Sequence, residues 1–262
     1  MTRAAATLGA LLLLPGCPHT PVPAEPVEHA GEARTFSDAD ALVTRARAVN
    51  DGYGTMRAVH SVEVEIALGG ERTEKRAFRG VLALRRPGLF RLNILGPMGV
   101  KLVDMLYASG RVRMVYVARH LRRSSRLPEI LESIAGDLRA IYRLDPLPAI
   151  TRRRVEPTVS VASGRTPLYD VREYRHDEVA RQLRIYANTL AIARSEVTDV
   201  GGIIRTIRYS DYRTNGELMV PRQIKVALEG SVFYWLTIRV EELALDEELD
   251  PELFLVGAAA ER

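Results

Sequence analysis

The side chains that could carry chemistry are few and stand far apart. None of the five histidines lies at the spacing of a metal-binding motif, and they occur singly at His19, His29, His60, His120 and His176. The chain lacks a Gly-x-Ser-x-Gly elbow, a His-Glu-x-x-His pair and a phosphate-binding glycine loop. Glu63 and Glu65 alternate with apolar residues, as on the solvated face of a strand. We therefore expect no enzymatic activity, no metal site and no cofactor.

Cys17, the only cysteine, is the one side chain whose sequence context predicts a chemical modification. It follows Arg3 and an apolar run from Ala4 to Leu14, which is too short to span a membrane and fits a secretory signal. Leu14-Pro15-Gly16-Cys17 resembles the lipobox of bacterial lipoproteins, in which the cysteine becomes the first mature residue and is diacylated. The alternative is an ordinary signal peptide with an incidental cysteine.

The lipobox resemblance also implies a location. Two acyl chains on one cysteine, together with the modified N-terminus, anchor a protein stably, whereas a single chain binds a membrane only marginally. Residue 18 is proline, and the absence of aspartate at that position points, by resemblance, to the outer membrane. A single cysteine excludes an intrachain disulfide. We expect a lipid-anchored protein of the outer membrane that faces the periplasm.

The net charge of the chain is modest, and arginine supplies most of the positive charge. The formal net charge is +4, and the only lysines are Lys75, Lys101 and Lys225. The one dense basic group runs from Arg119 to Arg126 and is followed by Arg152 to Arg154. Nucleic acid is not an expected partner in this compartment, and anionic lipid headgroups suit such a group better. The alternative is a merely solvated face.

The chain divides into three parts. Residues 1–16 are predicted to be the signal peptide, residues 17–34 a proline-rich tether, and residues 35–262 one domain. Helical spacing of apolar residues predicts one helix at about 38–50 and a second from Pro128 to about Ile141. Alternation of apolar and polar residues predicts about eleven strands joined mostly by short turns.

These elements predict a mainly β, α+β fold. A sheet this long curls on itself, and the two helices must bury their apolar stripes on its concave face. The expected architecture is an antiparallel sheet forming an incomplete, half-open β-barrel with a helical lid. The pattern leaves open whether the interior is a cavity or is filled by side chains. Apolar residues on the alternating strands are candidates for lining it: Phe90, Leu92, Ile94, Leu102, Met114 and Trp235.

The turn Gly96-Pro97-Met98-Gly99 joins two of the predicted strands. Proline has a pre-set φ angle, and the flanking glycines permit a tight reversal of the chain. Such a turn lifts Met98 to a tip, away from the sheet. The alternative is that Met98 folds back onto a neighbouring element.

The stretch Phe90-Arg91-Leu92-Asn93-Ile94-Leu95 with this turn resembles the LolB family of outer-membrane lipoprotein receptors. The match covers Val59 to Val117, and the lipobox and first helix agree with it. The resemblance implies a half-barrel fold, shared with the periplasmic carrier LolA, whose apolar cavity receives acyl chains or lipoproteins. In the family the leucine after the proline protrudes and is needed for transfer. Met98 is the matching residue, so Gly96, Pro97, Met98 and Gly99 become the candidate loop for contact with membrane or cargo.

Two classes of function remain open. The first is a carrier or receptor that binds acyl chains or lipoproteins and helps localise them to the outer membrane, acting as a monomer and receiving cargo from a periplasmic carrier. The second is an assembly lipoprotein of the same fold, with a filled interior, that acts as a scaffold for an envelope complex. The size of the interior cavity discriminates between them.

Overall fold

The computed structural model of the chain describes residues 36, 38–67, 73–108, 111–116, 134, 136–142, 152–158, 167–175, 178–198, 204–229 and 234–255. The predicted signal peptide, Cys17, the tether and the basic group at 119–126 lie outside these residues. Helix α1 spans Ala39–Asp51, and residues 134 and 136–141 belong to a second helix, α2. The strands are β1 Thr55–Ala67, β2 Thr73–Arg85, β3 Leu89–Leu95, β4 Lys101–Ala108, β5 Arg111–Tyr116, β6 Arg152–Thr158, β7 Leu168–Arg175, β8 Glu178–Tyr186, β9 Ile192–Thr198, β10 Ile204–Asn215, β11 Leu218–Glu229 and β12 Tyr234–Leu245.

Helix α1 begins at a side-chain cap and ends at a glycine. The Asp38 carboxylate accepts hydrogen bonds from the backbone N–H groups of Asp40 and Ala41, each at 3.1 Å. Gly52 follows the helix, and a Cβ atom there would lie 2.4 Å from the carbonyl oxygen of Ala48. The apolar residues recur at helical spacing, so they form one buried face on the sheet: Leu42, Val43, Ala46 and Val49.

The twelve described strands form one sheet in the order β5-β4-β3-β2-β1-β12-β11-β10-β9-β8-β7-β6. Consecutive strands are neighbours within β1–β5 and within β6–β12, and every pair is antiparallel. The pairing of β12 with β1 joins the two halves. Strands β5 and β6 form the two edges, so the curled sheet does not close. This is the predicted incomplete barrel.

The predicted number of about eleven strands was one too low because β6 lacks the apolar alternation of a strand. Its seven residues read Arg-Arg-Arg-Val-Glu-Pro-Thr. β6 pairs with β7 along its whole length, from Arg152 opposite Tyr174 to Thr158 opposite Leu168. An edge strand tolerates charge and proline. Its strand conformation therefore comes from pairing with β7 and not from an apolar face of its own.

Both helices pack on the concave face of the sheet and share its core. The stripe of α2 predicted from sequence is buried there at Ile134, Leu138 and Ile141. On the opposite, outer face the segment after β12 covers β2 and β4, where Leu249 and Phe254 pack with Ala83 and Leu106. The Arg85 guanidinium lies 5.3 Å from the centre of the Phe254 ring and donates a 2.6 Å hydrogen bond to the Leu249 carbonyl.

The strand ends fall on two rims of the sheet. Because all neighbours are antiparallel, one rim carries the starts of the even-numbered strands and the ends of the odd-numbered ones. The β3–β4 turn lies on this rim, which we call the Met98 rim. The opposite rim carries the remaining strand ends and the connection from α1 to β1. The two rims are the places where loops can present side chains for function.

Candidate functional site

The β3–β4 turn holds Met98 away from the rest of the protein. Pro97–Gly99 form a short 3-10 turn, closed by hydrogen bonds from the Gly96 N–H to the Val100 carbonyl at 2.8 Å and from the Gly99 N–H to the Gly96 carbonyl at 3.2 Å. Met98 has φ 58° and Gly99 has φ 75°. The Met98 side chain is 97% exposed, so it does not fold back onto a neighbouring element. Its role as a contact residue stays a prediction.

The conformation of Met98 is unusual for its residue type. A left-handed backbone costs a non-glycine residue about 1 kcal/mol or more, and most such positions carry glycine or asparagine. An almost fully exposed side chain recovers little of that cost through packing. Strained residues cluster at functional sites, so the retention of a large apolar side chain here supports a functional hypothesis.

A shared carboxylate ties the strands below the turn together. Asp104 on β4 accepts a 2.8 Å hydrogen bond from Nε of Arg91 on β3, and the Lys101 ammonium lies 3.5 Å from its other oxygen. Burial raises the pKa of Asp104, but the hydrogen bond and charge of Arg91, with that of Lys101, outweigh burial and hold the pKa below its usual value. The carboxylate therefore stays ionised and fixes the base of the turn.

Five of the six candidate lining residues belong to the core on the concave face. Phe90, Leu92 and Ile94 are buried there, and Leu102 and Met114 pack against them half-buried. Trp235 is a correction, because it lies on the outer face of β12 and is 47% exposed. The buried residues of β12 are Leu236, Ile238 and Val240, so alternation places Trp235 on the opposite face.

Polar contacts link α2 to the sheet from inside the core. The carboxylate of Asp137 is fully buried and accepts a 2.5 Å hydrogen bond from Nε of Arg205 on β10. The Tyr209 hydroxyl, also on β10, donates a 3.2 Å hydrogen bond to the Ile141 carbonyl. Directly after α2, the Tyr142 hydroxyl lies 2.8 Å from Nε2 of His60 on β1. These contacts join the lid to both halves of the sheet.

The described part of the lid and the sheet enclose a small cavity. A cavity of about 30 Å³ lies where the C-terminal ends of both helices meet strands β10–β12, and its walls include Tyr53, Tyr142, Tyr209 and Tyr212. That volume holds about one water molecule. Pockets for small-molecule ligands enclose roughly 300–1,000 Å³. This cavity is therefore too small for an acyl chain in the described conformation.

His60 should make the stability of this arrangement depend on pH. Burial lowers the pKa of His60 to about 4, whereas the unfolded chain titrates near 6.5. The unfolded state binds the proton more readily, so the contribution of His60 is present above pH 6.5 and is lost as the pH falls toward 4. We expect the free energy of unfolding to fall by about 3 kcal/mol more in the wild type than in His60→Gln over this interval. Denaturant titrations of both proteins between pH 7 and pH 4 test this, and parallel curves would contradict it.

Sequence reasoning found the turn, but none of its six candidate lining residues borders the described cavity, and it missed the polar contacts of the lid. His60 was treated as an isolated histidine, and Asp137, Tyr142 and Arg205 drew no attention. Alternation around Val62 and Val64 predicts the strand that places His60 toward the core, but no sequence signal pairs it with Tyr142, 82 positions away. The described residues contain no cluster of three or more potential metal ligands and no helix suited to crossing a membrane.

Comparison with solved structures identifies proteins of similar fold. The chain is similar to an outer membrane lipoprotein-sorting protein domain from Vibrio parahaemolyticus, with 11% identity, 83% of this chain and 97% of that chain covered, and a TM-score of 0.51. A LolA superfamily protein from Nitrosomonas europaea matches at 10% identity, 84% and 98% coverage and a TM-score of 0.53. A DUF1329 family protein from Desulfovibrio piger matches at 13% identity, 85% and 97% coverage and a TM-score of 0.51.

The chain therefore shares the fold of these structures. At such low identity the likeness shows the fold alone. No family model matches the chain, and no curated protein matches it in sequence. The narrower resemblance to LolB receptors rests on the residues around Met98.

Proposed function

We propose that this protein is a lipid-anchored envelope protein that binds acyl chains or lipoproteins and helps localise them to the outer membrane. The observation that carries the proposal is Met98, 97% exposed and left-handed, at the tip of a turn on a half-barrel. An apolar tip on a rigid hairpin is suited to entering a membrane or an acylated cargo protein. The work is noncovalent binding, and it requires no catalytic group and no cofactor.

The small size of the described cavity sets a condition for cargo binding at that place. Apolar contact contributes about 25 cal/mol per Å² of buried area. An acyl chain that takes the place of a displaced helix would therefore be stabilised by its apolar contacts with the sheet. The polar contacts of Asp137 and Tyr142 oppose that displacement. On this proposal the described conformation is the closed one, and a carrier or membrane supplies cargo that opens it.

A second candidate function is favoured by the same small cavity. A cavity of only about 30 Å³ suits a scaffold for an envelope complex, because it leaves no room for an acyl chain at this place. Such a scaffold would present its rims to protein partners and would bind no lipid. The two candidates therefore make opposite predictions about acyl binding.

Binding of an apolar fluorescent probe separates these candidates. The carrier should take up the probe with saturation, and a fatty acid should displace it, because both compete for the space under the lid. Met98→Glu is the matched control, since it removes an apolar surface site without altering the core. Loss of probe binding in that variant would place the probe on the turn, and absence of binding in the wild type would favour the scaffold.

Removal of the Cys17 thiol tests the anchor separately. Cys17→Ala should leave the protein uncleaved or soluble in the periplasm, because the acyl chains that would hold it have no attachment atom. Fractionation of cells expressing each form, with mass measurement of the wild-type N-terminus, provides the readout. An unchanged membrane fraction would refute the lipobox interpretation and leave the half-barrel unaffected.

A further inference from the structure

The outer face of the sheet carries cations at directly opposite positions of four neighbouring strands. Arg184 on β8 lies opposite Arg194 on β9. Arg194 in turn lies opposite Arg208 on β10, and Arg208 lies opposite Lys225 on β11. The residues on either side of these positions in β8, β10 and β11 belong to the core, so alternation places the four side chains on the outer face. We call these four residues the cation row.

The described carboxylates that pair with the cation row are fewer than its cations. Arg184 lies 3.8 Å from the Asp170 carboxylate, and Arg194 pairs with Glu196. The side chains of the other two members are exposed and form no hydrogen bond or ion pair within the part of the chain that the structure describes. The row therefore carries two positive charges that no described side chain neutralises.

This arrangement is unfavourable for the sheet itself. Like charges directly opposite each other on neighbouring strands repel, whereas opposite charges there stabilise the pairing. Glu65 on β1 and Lys75 on β2 show the favourable case, because they lie opposite each other and form an ion pair at 3.1 Å. A row of four cations is thus not explained by the stability of the sheet, and an anionic ligand would relieve its repulsion.

The course of the cation row is suited to a flexible ligand. It crosses three strand-to-strand steps, which at about 4.8 Å each span roughly 14 Å. Because it runs across the strands, it follows the curl of the sheet, so a flat membrane surface meets only part of it. A protein partner would bury an apolar centre depleted of charge, and the centre of this row consists of guanidinium groups. A flexible polyanion can follow the whole row.

An exposed tryptophan lies beside the cation row. Trp235 is 47% exposed on the outer face of β12, directly opposite Ala227, which follows Lys225 by two residues on the same face of β11. The C–H face of a sugar ring packs on an indole ring, while guanidinium groups bind carboxylates through paired hydrogen bonds. Tryptophan beside a line of cations therefore matches a sugar chain that bears carboxylates.

We infer that the cation row binds a flexible acidic glycan, a sugar polymer that bears carboxylate groups, and that Trp235 packs on one of its sugar rings. This site is separate from the proposed acyl binding, because the two helices cover the opposite face of the sheet. The choice of a glycan over a nucleic acid rests on the proposed envelope location, since single-stranded nucleic acids also bind cations and aromatic rings.

Binding of a fluorescein-labelled alginate oligosaccharide to the full-length protein, followed by fluorescence anisotropy, tests the inference. Alginate is an unbranched chain of carboxylate-bearing sugars. We expect saturable binding that weakens as salt screens the charges, and no binding of a neutral dextran of equal length. The double variant Arg208→Gln, Lys225→Gln should bind alginate at least about tenfold more weakly, because each unpaired cation contributes a charge-assisted contact. Unaltered binding in this variant would overturn the inference.

A second double variant with the same net charge provides the control. Arg57 and Arg213 are exposed cations outside the row, and Arg57→Gln with Arg213→Gln should bind alginate as the wild type does. Equal weakening by both double variants would show that only the net charge of the protein matters. Removing Arg208 and Lys225 should leave the melting temperature unchanged or raised, because repulsion is relieved. A lowered melting temperature would instead give the row a structural role and overturn the inference.

Two further measurements identify the ligand and separate this site from the lid. Trp235 is the only tryptophan, so its emission should change with the same midpoint as the anisotropy, and unchanged emission would contradict its contact with the glycan. A single-stranded DNA of equal charge that binds more tightly than alginate would overturn the choice of a glycan. Acyl-probe binding should be the same in the wild type and in the row variant. Absence of probe binding with intact alginate binding would refute the proposed function alone.

Discussion

Replacing Met98 by glutamate is expected to weaken membrane or cargo engagement strongly while leaving the fold intact. The side chain is almost fully exposed, so the charge meets no core residue and thermal stability should not change. Moving a charge into hydrocarbon costs about 3 kcal/mol, which corresponds to roughly 100-fold weaker engagement. Transfer of a fluorescent acylated protein to vesicles, measured beside the melting temperature of the same sample, tests both parts of this expectation.

Two further substitutions at position 98 test whether transfer requires an apolar side chain there. Met98→Leu keeps an apolar side chain of similar size, so transfer should remain close to the wild-type rate. Met98→Gly removes the side chain and relieves the left-handed strain, so it should stabilise the protein by up to about 1 kcal/mol while slowing transfer. A lowered melting temperature in Met98→Glu, or unimpaired transfer by it, would contradict the assignment of this turn as the working tip.

Removing the Asp137 carboxylate is expected to give the largest loss of stability. Asp137 is fully buried on α2, and Asp137→Ala leaves the largely buried Arg205 guanidinium without this carboxylate. Breaking one side of a buried ion pair costs about 3–5 kcal/mol. For a chain of this length that corresponds to a fall in melting temperature of about 10 °C. Differential scanning calorimetry of the wild type and the variant measures it.

An exposed ion pair of the same chemistry supplies the control. Asp40 pairs with Arg153, but its side chain is 65% exposed, so Asp40→Ala should cost less than about 1 kcal/mol. Replacing both partners, as Asp137→Leu with Arg205→Met, should recover much of the lost stability because no buried charge remains unpaired. A melting temperature for Asp137→Ala close to that of Asp40→Ala would show that the buried pair does not hold the lid.

The Asp137 and Met98 variants can also be compared in the acyl-probe binding assay. If α2 is the lid, Asp137→Ala should increase acyl-probe binding at temperatures where the rest of the protein stays folded, because displacing the helix becomes easier. Met98→Glu should leave that binding unchanged, since the turn is remote from the core. A protein in which neither substitution alters lipid binding or transfer would be better explained as a scaffold.

The local pattern of apolar and polar residues was sufficient to predict most of the helices and strands but not all of them. Alternation identified β1 and β3 because one face of each is buried and the other is solvated, which is a property of the strand itself. It missed β6, whose strand conformation depends on pairing with β7. It also placed Trp235 in the interior, because apolar residues on both sides of the chain around β12 do not show which side meets the core.

The sequence alone therefore determined the antiparallel half-barrel, helix α1 and the turn that carries Met98, since periodicity, capping and turn chemistry act over a few neighbouring residues. Only the tertiary structure decided that the Met98 side chain is exposed, that Trp235 faces outward and that Asp137 meets Arg205. These outcomes depend on contacts between residues far apart in the chain: 68 positions separate Asp137 from Arg205. No local pattern encodes such a distance, because the curl of the whole sheet brings the partners together.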